Sequence, residues 1–403
     1  MDGRILVVSD QQGCRAISAA AGVGGSGAPE AFYNGTTAEP IKEISWARLS
    51  HRLGTREDVE RLLTFHFQEL SEWFDAVHQP SIWAFWRTLR DSDGKITRNE
   101  AALLVLICAL AGLMVPPAAP LVQQNSQKPR EKHRDWFLLA DEILEEGKDA
   151  LSPDDNSLDR LLCDCAMLMY TSFAGHTLLK VSLLHTAVSR AHYLHLFDDS
   201  HRAWHGLSDL QREYRRRVVA HLITTDRWYA FHQMRPFVIH PSTIKVDPPT
   251  YEPDTSFNPT TGARLIEAPI WNMTLRVQRG QLSALLLAAT TILHEMHDSS
   301  VRPMERYTQI HNLDSLANAN WEKTLREMGI SGEMLTQDYG GAVPVPSDAQ
   351  LRRLSLPCMM SVGVNYICTM AYRPLLEDPK APIDMRFRAF VKAQKILDSL
   401  PLM

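Results

Sequence analysis

The chain has 403 residues, 45% of them hydrophobic, enough to bury one large core or two smaller ones. Its net charge of -5 gives no overall attraction to a phosphate backbone, so nucleic-acid binding would need a local basic patch, for which Arg212 with Arg215, Arg216 and Arg217 is the candidate. The six cysteines are scattered, most of them inside apolar helix-like runs, which excludes a disulfide framework and fits a reducing compartment.

Residues 1–42 stand apart in composition. Ser18–Gly27 is Ala, Gly and Ser apart from Val23, and Pro29 and Pro40 come after it, so a flexible leader is expected over 1–42. Within it, Gly22-Val23-Gly24-Gly25-Ser26-Gly27 spells the GxGxxG of dinucleotide sites. No strand directly precedes it, and Pro29 and Pro40 break the segment where a helix would have to open, so it reads as part of the leader. The apolar run Ile5–Val8 is too short for a signal peptide.

From Glu43 onward the pattern is helical. Arg56–Phe74 carries Val59, Leu62, Leu63, Phe67 and Leu70 at a 3.6-residue period, with Thr55 placed to cap its start. Ser81–Leu89 and Glu100–Met114 continue the helical reading. Between them, Asp91-Ser92-Asp93-Gly94-Lys95-Ile96 with Glu100 imitates a calcium loop, but the first ligand position falls on Leu89, so it reads as a polar turn. The longest apolar run, Ala101–Pro117, falls short of the roughly 20 residues of a membrane span and is expected to be a buried core helix. Pro116–Lys132 reads as an exposed loop.

Helices are predicted again over Asp135–Glu146, Ser157–Ser172, Leu178–Leu196 and Ser208–Gln233. Pro236–Pro259 holds six prolines and reads as an extended connection or a lid. Gln278–His297, Ser315–Met328, Asp348–Ala371 and Met385–Leu397 complete the set. His294-Glu295-Met296-His297 places its histidines three apart, where a zinc-protease helix has four, and reads as a polar helix end. The fold class is therefore all-α: a large single multi-helix domain of about ten to fourteen helices over 43–403.

Chemistry concentrates in the histidines of 185–232. His185 and His192 are seven apart, on one helical face; His221, Thr225, Trp228 and His232 share another. If the two faces met, imidazoles and an indole would line a pocket for a small aromatic or acidic ligand, with His185, His221, Trp228 and Arg235 as ligand contacts. In an enzymatic alternative, His192 and His232 would exchange protons, because histidine titrates near neutrality. The plainer reading of the same histidines is helix packing and surface. No metal-ligand spacing, P-loop or nucleophile elbow appears, so no metal or other cofactor is expected.

Four stretches in order, Leu62–Ile82, Leu161–His195, Arg215–Pro236 and Tyr372–Leu375, together resemble the regulatory middle domain of fungal binuclear-zinc-cluster transcription factors. Leu62–Ile82 looks like its opening helix, which leads into the turn His78-Gln79-Pro80-Ser81-Ile82. Leu161–His195 looks like the central helix pair, with Ala187-Val188-Ser189-Arg190-Ala191 and Leu194-His195. Arg215–Pro236 is similar to the Arg-rich helix with an Asp-Arg pair, here Asp226-Arg227, and a closing Gly-Arg-Pro, here Met234-Arg235-Pro236. This chain also has Val218-Val219 where the family tends to show tryptophans. Tyr372-Arg373-Pro374-Leu375 resembles the late Arg-Pro turn.

The family's DNA-binding module needs six cysteines within about thirty residues around two zinc ions, whereas residues 1–50 hold only Cys14. The resemblance thus implies a transcription-regulator-like protein that lacks its own DNA-binding module. It would act through a small-molecule ligand, protein partners or a homodimer, as a co-regulator in fungal secondary metabolism. No direct nucleic-acid binding and no membrane association are expected, and the location would be nucleus or cytoplasm. The alternative is a cofactor-independent isomerase, cyclase or dehydratase on the same scaffold; a truncated gene is a third reading.

Overall fold

The computed structural model describes residues 43–71, 74–91, 94–116, 128–146, 156–250, 252, 254–258, 261–265, 283–292, 303–327, 348–377 and 379–399. The N-terminal leader, its glycine run and His294–His297 lie outside these. Within them the fold is all-α, with twelve α-helices and one small sheet in which β1 (Glu43–Ser45) pairs antiparallel with β2 (Lys95–Thr97).

The helices start where local chemistry sets them. Helix α1 (Trp46–Leu53) leads directly out of β1 and ends at Gly54. Thr55 caps α2 (Arg56–Phe65) and Thr97 caps α4 (Arg98–Met114), each in a capping box that also satisfies the cap's own N–H. Glu100, which the calcium-loop spacing would make a ligand, is the closing member of the second box: its carboxylate accepts Thr97 N–H at 2.7 Å. The polar-turn reading of 91–97 therefore gains a strand and a cap. The helix that opens at Arg56 does not run regularly to Phe74, because it passes into a π-helical turn at His66–Leu70.

The apolar run becomes α4, and Ala101–Ala111 is buried all round, as a helix without a polar face must be. It forms the centre of the N-terminal half, flanked by α2, α3 (Gln79–Asp91), α5 (Pro129–Glu145) and α6 (Leu158–Ala174). Helix α5 starts earlier than its apolar period indicates, because Pro129 opens it at a position where a missing N–H costs nothing. Helix α6 packs on α7 (Thr177–Tyr193), with Arg190 paired to buried Asp164.

Helix α8 (Asp209–Gln233) packs against α6 and α7. It is followed by helical residues 283–292 (α9), α10 (Pro303–Glu327), α11 (Asp348–Glu377) and α12 (Ile383–Ser399). Phe231 of α8 joins Leu285 and Leu286 of α9, Leu313 of α10 and Ile367 of α11 in one core. A buried ion cluster ties the last three helices: Asp314 accepts Tyr372 Oη at 3.1 Å and pairs with Lys392 at 2.5 Å.

Candidate functional site

Helix α8 has two halves with different tasks. In its first half the arginine run is consumed by structure. Arg215 lies over the Trp204 ring and donates to Ala203 O, while Arg216 pairs with Asp199 at 2.8 Å and Asp247 at 3.1 Å. Arg217 is buried, pairs with Glu213 at 2.9 Å and donates to Glu252 O. Glu213 also accepts Thr250 N–H, and Tyr214 donates to Asp254, whose other oxygen lies 3.7 Å from His78. The run is thus neither a solvated face nor an open row of cations for phosphates. It fastens Asp247, Thr250, Glu252 and Asp254 of the proline-rich segment along α8, so these residues form a strap over the basic half of the helix.

In its second half, Asp226 is buried and accepts Val238 N–H at 3.0 Å and Ile239 N–H at 2.9 Å, which fixes the chain as it returns past the helix end. Burial raises the Asp226 pKa, and the two backbone bonds oppose that shift. Arg227 bonds Ser283 of α9. Met234 ends the helix in the left-handed region, φ 49 and ψ 46.

The expected site residues are distributed over this helix and α7. Lys180 of α7 lies near enough to His232 for its charge to lower the imidazole pKa, after desolvation, and His185 acts similarly on Asp226. The two helices are therefore antiparallel, and His192, twelve residues beyond Lys180, lies about 18 Å along α7 from that end. His192 packs on Phe197, so the structure does not bring His192 and His232 together. His221 is buried, 5.2 Å from the Phe74 ring. Arg235 is exposed beyond the helix end, and His185 is exposed on α7.

Trp228 and His232 do meet. Their rings stack at 5.2 Å with an interplanar angle of 16°, and Tyr366 of α11 closes the group, its hydroxyl 3.3 Å from His232 Nδ1. Lys180, desolvated and paired with no carboxylate among the described residues, supplies a positive charge beside them. Tyr366 and Lys180 belong to other helices, so no spacing within α8 signals them. No helix among the described residues is long and apolar enough to cross a membrane.

A family model, the fungal specific transcription factor domain, matches residues 63–328, well over half of the chain. The chain belongs to the fungal specific transcription factor domain family. Comparison with curated proteins and with solved structures found no match. The family resemblance now has physical content. The turn His78–Ile82 holds Ser81 Oγ 2.7 Å from His78 Nδ1, and His78 Nε2 faces Asp254 in the strap on α8. The Asp-Arg pair holds the returning chain and α9. Where the family's closing Gly-Arg-Pro has glycine, this member places Met234 in the backbone region that glycine occupies without steric cost.

Proposed function

We propose that this domain is a transcription-regulator module set by a small anionic aromatic ligand, held where Trp228, His232 and Tyr366 stack beside Lys180. The family supports the regulatory role. The observation that carries the ligand is the pairing of a half-exposed aromatic stack with a desolvated ammonium that meets no carboxylate among the described residues. Such a surface suits a ring that stacks on the indole and a carboxylate that pairs with Lys180. Arg235 and His185 flank the same helix pair as further contacts. A protein working in gene regulation would act in the nucleus, or move between nucleus and cytoplasm, and secondary metabolism would supply aromatic acids.

The test is a reporter assay with the chain fused to a heterologous DNA-binding domain. Trp228→Ala and Lys180→Glu should each change output and abolish any response to added aromatic carboxylates. Unchanged output and response in folded variants would remove this reading.

A second reading, a homodimer, is favoured by the outer face of α12. Ile383, Phe387, Phe390 and Leu397 are 84%, 64%, 64% and 58% exposed, an apolar stripe that a twofold copy of itself would cover. Sedimentation of Phe387→Glu against the parent chain tests it: a parent that sediments as a monomer sinks it. The enzymatic alternative draws no support from His192 and His232, which lie far apart on the helix pair.

A further inference from the structure

The outer face of α12 carries an order that its apolar character alone does not require. The helix is held down on its inner side, where Met385 and Ala389 are buried and Lys392 bonds Asn318 Oδ1 at 2.7 Å beside Asp314. Arg388 is drawn to the same carboxylate, 3.7 Å from Asp314. The helix is therefore a fixed ridge, with Ile383, Phe387, Phe390 and Leu397 left on its exposed side.

That side reads nearly alike in both directions about Phe390. Ile383 and Leu397 stand seven residues before and after it, about two turns away and on the same face. Phe387 has Ala393 as its counterpart, three residues to the other side, a small side chain that leaves an aromatic ring room. The flank charges follow the same midpoint with opposite sign. Asp384 and Lys395 are both exposed and lie eleven residues apart, about three turns, so they share one flank of the stripe. Asp384 is six residues before Phe390 and Lys395 five after it, about 9 Å and 7.5 Å along the helix.

An isologous interface asks for this arrangement, because residue i must meet j while j meets i. We propose that two copies pair through α12, antiparallel about a twofold axis beside Phe390, with Asp384 of each copy level with Lys395 of the other. This deepens the homodimer reading of the same face and rests on it. In this register Ile383 covers Leu397 of the second copy, and the two Phe390 rings meet at the axis. Antiparallel packing about such an axis brings like flanks together, so the charges pair twice. A parallel pair would leave Asp384 and Lys395 of the two copies about three turns apart in height, where they never meet. An unlike partner would call for neither the near-palindrome nor the opposed charges.

The test is sedimentation of the whole chain over a dilution series at low ionic strength, where exposed charges are least screened. Asp384→Lys and Lys395→Asp each set two like-charged pairs in their own dimer. Each should raise the dissociation constant about tenfold, the modest worth of an exposed pair counted twice. An equal mixture of the two variants should associate as tightly as the parent, since the reversed charges then face each other and the native ones do too. Recovery in the mixture also shows that both variants are folded. A parent chain that stays monomeric removes the homodimer reading itself and this inference with it. A parent dimer that Phe387→Glu dissociates, yet whose affinity the charge variants leave unmoved, overturns the antiparallel register alone. So does a mixture no tighter than its components. A parent dimer that survives Phe387→Glu has its interface elsewhere, which overturns both.

Discussion

Asp226 reaches past the end of its own helix to hold Ile239, accepting that residue's buried N–H at 2.9 Å, and it takes Val238 N–H at 3.0 Å on its other oxygen. This explains why an acidic residue sits in an otherwise packed stretch of α8. The carboxylate is a cap for the chain that leaves the helix, and it orients the start of the strap.

Removing that carboxylate strands two N–H groups. Asp226→Ala should lower the unfolding free energy by about 2–4 kcal/mol, two unmet donors at the usual cost. Asp226→Asn, which keeps one acceptor oxygen, should lose roughly half of that. Urea unfolding monitored by tryptophan fluorescence measures both, and an Asn variant as damaged as Ala would count against the capping role.

Met234 offers the opposite test. Its φ of 49 puts a Cβ where only glycine sits without strain, and its side chain is 37% exposed, so little packing is lost with it. Met234→Gly should raise stability by about 0.5–1 kcal/mol, the relief of a left-handed residue less the added freedom of the unfolded chain. A lower melting temperature in this variant would mean that Met234 makes contacts worth more than its strain.

The buried pair Arg217–Glu213 predicts asymmetric damage. Arg217→Ala leaves Glu213 charged, 3% exposed and without its guanidinium, and should cost about 3–5 kcal/mol. Arg217→Met with Glu213→Gln removes both charges, and the glutamine keeps an acceptor for Thr250 N–H. The double variant should therefore be more stable than Arg217→Ala, as equilibrium unfolding of the two would show.

The helices were legible because their signals are local. Thr55 and Ser208, each of which caps its helix in a capping box, the apolar run Ala101–Ala111 of α4 and the breaking Pro236 each act within a few residues of the boundary they set. The site was legible only in part. Trp228 and His232 share a face by spacing, and they do stack, but the group needs Tyr366, 134 residues away, and Lys180 on the neighbouring helix. The pairing of His192 with His232 required a register between α7 and α8 that no single-helix period contains. His66 lay inside a regular apolar pattern, and the pattern gives no sign that the helix widens there into a π-turn.

Two buried histidines, the most strongly depressed, lead the response to acid. Burial holds His66 at about 3 and, with Asp254 opposing and Arg217 assisting, holds His78 at about 4, against about 6.5 when unfolded. Both folded values are depressed, so the unfolded chain takes up protons first as pH falls. Stability is complete above about pH 6.5 and drains away below it, with a slope approaching two protons, about 2.7 kcal/mol per pH unit, between pH 6 and 4.5. His66→Phe should be more stable than the parent at pH 5 and should show about half that slope. Urea midpoints at pH 7.5, 6 and 5 read both quantities. A parent chain with pH-independent midpoints across this window would mean that the imidazoles find hydrogen-bond partners on protonation.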